Sequence, residues 1–143
     1  MIEVKAFKAE DFGLIYDDAI DDQMRTYTPE QIGVMGVKYE NSGCAFTGWY
    51  GDIPMGCLGI LEVRPGIGNM WSALNREVQN HIVISMRAVK RMLQIVDQTH
   101  DFKVLRSDSR IGFPESQRFL EFLGFTKGRR NLLNGTHYFY RRT

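Results

Sequence analysis

Residues Pro114–Phe125, PESQRFLEFLGF, constrain the fold of this chain more than any other stretch. Pro114 suits the first position of a helix, because its missing N–H leaves nothing unpaired there. Phe119, Leu120 and Leu123 form an apolar face at helical spacing, with Glu115, Gln117, Arg118 and Glu121 mostly off it. Gly124 supplies the left-handed turn that ends a helix. A basic strand follows, and then Asn134–Gly135, two residues that tolerate positive φ and signal a hairpin. The chain is therefore expected to end as helix, glycine stop and two antiparallel strands.

The rest of the chain reads in the same way. Ile2–Lys8 alternates apolar and charged residues and predicts a strand. Ala9–Met24 predicts a helix with Phe12, Ile15, Ala19 and Ile20 inward and Asp17, Asp18, Asp21 and Asp22 on the other side. Thr28 as a cap, Pro29 in the first turn and Gln31 as a capping-box partner predict a second helix to Tyr39, broken at Asn41–Gly43. Cys44–Tyr50 and Ile53–Val63 predict strands joined at Gly51–Asp52, with Gly56 and Gly59 marking a bulge or close backbone approach. Arg64–Gly68 predicts a loop, Asn69–Asn75 a strand and Arg76–His81 a polar connection. Ile82–Gln98 is the longest predicted helix, its buried stripe being Ile82, Met86, Val89, Leu93 and Val96 and its wet side Arg87, Lys90 and Arg91. Lys103–Ser107 predicts one more strand before the segment at Pro114.

Composition sets limits. A length of 143 residues predicts a single domain over 1–143, large enough to bury a core without staples. A net charge of +1 argues against a dedicated nucleic-acid or membrane binder, and no recognition-helix signature is present. The charge is polarised, however: residues 1–40 carry nine acidic and four basic side chains, and the remainder eight and fourteen. With a two-residue turn at Gly51–Asp52, Phe46 rather than Cys44 faces Cys57, which predicts free thiols rather than a disulfide and a reducing compartment. No metal-ligand spacing, signal peptide or membrane-spanning run is found, so a soluble cytoplasmic protein is expected.

The predicted order is strand, two helices, three strands, long helix, strand, helix, two strands. Together with Phe119, Gly124 and Phe125 it resembles the GNAT N-acyltransferase superfamily, in which the helix before the last two strands ends in a similar F-Y-x-x-x-G-F pattern. The resemblance implies an α/β (α+β) fold, a central mixed sheet flanked by helices, across essentially the whole chain. It also implies acetyl-CoA as cosubstrate, a primary amine as acceptor, and pairing of two chains through their last strands.

In such a fold the cosubstrate lies where two parallel strands splay, its pyrophosphate on a helix N-terminus whose unpaired N–H groups and dipole favour an anion. Carried over, this implies a cofactor-binding set of Ala73, Leu74, Asn75, Arg76, His81, Ile82 and Arg118, with a backbone N–H near Leu74 facing the reacting carbonyl. Glu62 is the candidate base. Three departures stand out. No glycine occurs between Gly68 and Gly112, where the family has a glycine-rich phosphate loop. Leu120 occupies the place of the family's proton-donating tyrosine, and Phe113 that of its asparagine. Tyr138 and Tyr140 substitute as donors only if the last strand reaches the thioester.

PGIGNMWSALN followed by a polar loop and AVKRML is also similar to GNAT-like proteins of tailed bacteriophages, some of them virion components. Two readings follow: an acetyl-CoA-dependent N-acetyltransferase, helped by the aspartates near residue 20 in attracting a cationic acceptor, or a GNAT-fold binding or structural module that has lost catalysis, in the host cytoplasm or a virion.

Overall fold

The computed structural model describes residues 1–20, 26–110, 114–131, 133 and 135–142. The expected Asp21, Asp22, Phe113 and Asn134 lie outside these. The strands are β1 Glu3–Ala6, β2 Ala45–Tyr50, β3 Ile53–Arg64, β4 Ile67–Leu74, β5 Val104–Arg110, β6 Thr126–Asn131 and β7 Thr136–Arg142. The helices are α1 Ala9–Tyr16, α2 Pro29–Asn41, α3 Ile82–Thr99 and α4 Pro114–Phe122, with a short 3-10 turn at Arg76–Asn80. The order of elements is the one expected. The seven strands form one sheet in the order β1-β2-β3-β4-β5-β7-β6, parallel only between β4 and β5.

The two faces of the sheet carry separate cores. Phe12 and Ile15 of α1 and Ile32 of α2 pack with Phe7, Cys57 and Ala73 on one face. Val89, Met92, Leu93 and Val96 of α3 pack with Leu120, Leu123, Phe125, Leu58, Ile60, Leu105 and Phe139 on the other. Period-two alternation distributes each strand between the two. No helix among the described residues is long and apolar enough to cross a membrane.

The end of α4 follows its sequence closely. Gly124 has φ +91°. The Phe125 N–H donates to the Leu120 carbonyl and the Gly124 N–H to that of Glu121, each at 3.0 Å. These are the two bonds of a Schellman stop, and Phe125 and Leu120 share one core cluster, completing its apolar contact. At α2, Thr28 and Gln31 form the expected reciprocal cap.

Five expectations need correction. The first helix stops at Tyr16 instead of running toward Met24. Its continuation pairs with the sheet instead: the Ile20 N–H donates to the Leu74 carbonyl at 2.8 Å and the Arg76 N–H to that of Asp18 at 2.9 Å. Backbone groups that a helix would have satisfied are satisfied by the end of β4.

Cys57 faces Thr47, not Phe46, because Met55 is an unmatched bulge residue between the pairs Trp49–Pro54 and Gly48–Gly56. Both cysteines are nonetheless free and buried. On α3, Ile82 is 52% exposed and Met86 only partly buried, while Ser85, Ala88 and Met92 join the inward face. The first turn of α3 overhangs the edge of a cleft, so its apolar stripe has no sheet beneath it there. Finally, β5 runs on to Arg110 because β7 pairs along its whole length, and the loop at Arg64–Gly68 shrinks to Pro65–Gly66.

Candidate functional site

β4 and β5 pair at Ile67–Val104, Gly68–Leu105 and Asn69–Arg106, and pairing ends there. Beyond it, Met70–Leu74 and Ser107–Arg110 diverge. Two side chains mark the fork: Arg106 Nε donates to Asn69 Oδ1 and Ser107 Oγ to the Met70 carbonyl, both at 3.2 Å. A cleft of about 950 Å³ opens in the gap.

The hydrogen bonds fix which backbone groups of β4 face this gap. The Asn75 N–H donates to the Met55 carbonyl of β3, whereas the carbonyls of Met70 and Leu74 accept from the opposite side. In an extended strand these directions alternate, so the N–H and C=O of Ser72 and the N–H of Leu74 point into the gap. No strand among the described residues pairs with them there. The cleft thus exposes a short edge of main-chain donors and an acceptor, flanked by apolar walls.

Two differently built ends meet at that edge. On the α3 and α4 side lie Ile82, Met86, Phe119, Leu120 and Phe122. The cations at this end are Arg118, which lines the cleft and makes no ion pair among the described residues, and Lys90, whose Nζ sits 4.3 Å above the Phe122 ring. On the α1 and α2 side lie Ile20, Tyr27, Tyr39 and Trp71. Burial raises the Tyr39 hydroxyl above its ordinary pKa, with Tyr27 and Cys57 adding to the effect. Asp108 of β5 and Glu115 of α4 are the carboxylates among the lining residues.

The expected site residues are distributed as follows. Ala73, Leu74, Ile82 and Arg118 line the cleft. Asn75 is buried, and its Oδ1 accepts from the Glu77 N–H at 2.8 Å, opening the turn that stands in place of a glycine loop. Arg76 directs its guanidinium toward Asp18, with Nε 3.6 Å from Oδ1 and both side chains about half exposed. His81 stacks on Tyr50, centroids 4.6 Å apart, and gives α3 no side-chain cap. Glu62 is exposed on β3 opposite Gly68 and is not among the cleft-lining residues. Tyr138 and Tyr140 stack on each other on β7 and likewise do not line the cleft.

Sequence reasoning missed Tyr27, Tyr39, Ser72, Ser107 and Asp108. The alternation in VLRSDSR carried the signal for Asp108, one residue past the predicted strand end. The tyrosines carried none, since only the docking of α2 brings them to β4. Among the described residues no cluster of three or more metal-ligating side chains forms.

No family model matches the sequence, and no curated protein matches it. Solved structures do resemble it. A GNAT-family acetyltransferase from Bacillus anthracis superposes with a TM-score of 0.76 at 13% identity, over 99% of this chain and 94% of that one. A GNAT-family acetyltransferase from Staphylococcus aureus MU50 gives 0.76 at 11%, over 99% of each chain. The aminoglycoside acetyltransferase AAC(6')-Ib, solved in complex with coenzyme A, gives 0.71 at 11%, over 99% and 95%. At such identities the likeness is one of architecture: the chain has the GNAT acyltransferase fold.

Proposed function

We propose that this protein binds acetyl-CoA in the β4–β5 cleft and transfers its acetyl group to a primary amine. The observation that carries this reading is the unpaired main-chain edge at Ser72 and Leu74. An amide-bearing, extended chain such as pantetheine can add to that edge as a further strand would. The apolar wall of Ile82, Met86, Phe119 and Phe122 suits its methylenes, and Arg118 and Lys90 suit its phosphates. The acetyltransferase solved with coenzyme A supports the choice of ligand.

In the reaction a nitrogen–carbon bond forms and the carbon–sulfur bond breaks. The amine loses a proton and the leaving thiolate gains one. The N–H of Leu74 faces the region where negative charge develops on the thioester oxygen, and a fixed dipole there lowers the barrier. Leu120 offers no proton to the thiolate, so that proton comes from water or the amine. Positioning then supplies most of the acceleration.

The phosphate end differs from the glycine-loop arrangement. The N–H groups at the start of α3 are uncapped and Arg118 stands nearby on α4, whereas Arg76 is held by Asp18. Calorimetric titration with acetyl-CoA tests this. Arg118→Glu is expected to weaken binding about ten-fold or more, and His81→Glu to weaken it through charge at the α3 N-terminus. Absence of any heat or thermal shift with the unaltered protein overturns the proposal.

Leu120 favours one second reading, a module that keeps the acyl-CoA cleft without turnover. Binding of acetyl-CoA with no acetylation across a panel of amines would select it.

A further inference from the structure

The two ends of the cleft differ in chemistry, and the α1–α2 end is unusually aromatic. Tyr39 lies flat on the Trp71 indole, centroids 3.9 Å apart and planes 14° apart. The indole is held from below: Phe7 and Phe12 meet it edge-on at 5.3 and 6.1 Å. Gly59 lies so close that a Cβ there would stand 2.6 Å from the ring and 2.7 Å from Nε1. The indole nitrogen is therefore turned onto β3, buried with no hydrogen-bond partner among the described residues. With Gly59 under one face of the ring and Tyr39 over the other, Trp71 meets the cleft along its edge and serves to hold the Tyr39 ring in place. Tyr27 stands at the lip, 38% exposed, its carbonyl fixed by the Tyr16 hydroxyl.

One carboxylate shares this end. Arg106 bonds Asn69, which places Arg106 on the sheet face of Asn69 and Trp71. Asp108, two residues on, occupies that same face. It is exposed, lines the cleft and makes no hydrogen bond or ion pair among the described residues. The other lining carboxylate, Glu115, belongs to α4 across the sheet. An aromatic wall with an unpaired carboxylate on the same sheet face, among the described residues, is complementary to a cationic head on a flat apolar body.

We propose that the acceptor is an arylalkylamine, its ring against Tyr27, Tyr39 and Trp71 and its ammonium at Asp108. This rests on the acetyl-transfer reading and deepens it. The ammonium must shed its proton to water before the free amine attacks, so Asp108 acts in binding and orientation.

The test separates the two proposals. In a Trp49→Phe background Trp71 is the single tryptophan of the chain. Its fluorescence is followed while 2-phenylethylamine, butylamine or spermidine is added, with and without coenzyme A, and acetyl-CoA is titrated separately. The expected result is saturable binding of 2-phenylethylamine at least ten-fold tighter than of butylamine or spermidine. Asp108→Asn should weaken all the amines while leaving acetyl-CoA affinity unchanged. Tyr27→Ser should weaken 2-phenylethylamine alone and so erase the preference. Acetyl-CoA binding together with equal or tighter binding of butylamine or spermidine, or with no amine response, overturns the acceptor assignment and leaves the transferase reading intact. Selective arylalkylamine binding without acetyl-CoA binding keeps the site as an amine pocket and overturns the transfer reaction. Absence of both overturns both.

Discussion

Ser107 Oγ donates to the Met70 carbonyl at 3.2 Å, across the point where β4 and β5 part. A side chain here takes the place of the next ladder bond, so the two strands stay joined up to the fork and diverge immediately after it.

Ser107→Ala is expected to cost about 0.5–1.5 kcal/mol of stability, the net worth of one neutral hydrogen bond. The fork should also fray backward. Amide exchange at Gly68 and Leu105, paired just before it, should accelerate, and acetyl-CoA should bind more weakly. Hydrogen exchange read by mass spectrometry or NMR checks this, and unchanged protection at both positions would show that Ser107 does not hold the fork.

Gly59→Ala drives a methyl group against the Trp71 ring at 2.6 Å. The indole is pinned between Tyr39, Phe7 and Phe12, so it cannot step aside without breaking the stack. A loss of about 1–3 kcal/mol is expected from overpacking. The near-ultraviolet circular dichroism of the aromatic cluster should fall with it.

Asp11 is a buried carboxylate, 4% exposed, that accepts from Thr47 Oγ1 at 2.8 Å and from the Lys8 N–H at 3.0 Å. Thr47→Val removes one of the two donors to the Asp11 oxygen and leaves it bonded only to the Lys8 N–H, at an expected cost of about 1.5–3 kcal/mol. Thr47→Ser keeps the hydroxyl and should recover most of that. Urea unfolding of the three proteins gives the comparison.

Burial pushes the Cys44 thiol up from an ordinary 9.0 to about 11, with the Ile60 main chain acting the other way. The unfolded chain ionises this thiol first as pH rises. The native state is therefore fully favoured below about pH 9 and loses that advantage as pH climbs through about 11. Cys44→Ala should flatten this part of the alkaline decline in urea midpoint. An identical decline in both proteins would rule out Cys44 as its source.

Local chemistry made some of this structure legible in advance. The Thr28–Gln31 cap, the Gly124 stop and the three-residue spacing of α4 depend only on neighbours in the chain. The order of strands and helices follows from periodicity. The first helix was read too long because apolar spacing continues past Tyr16, while the pull of β4 on residues 18–20 is a long-range pairing. The bulge at Met55 likewise arises from the match between two strands and leaves no mark on either one alone.

The site divides in the same way. Sequence by itself determined the elements, their order, the apolar stripes that cover the two sheet faces, and the absence of glycine after β4. Only the tertiary structure decided that Asp108, Tyr27, Tyr39 and Trp71 share one end of a cleft, that Arg118 lines the other with no ion pair among the described residues, and that Arg76 is engaged by Asp18. The physical reason is range. Helix caps and strand alternation are fixed within a few residues, whereas a cleft is made where two strands stop pairing and segments far apart in sequence come to face the gap.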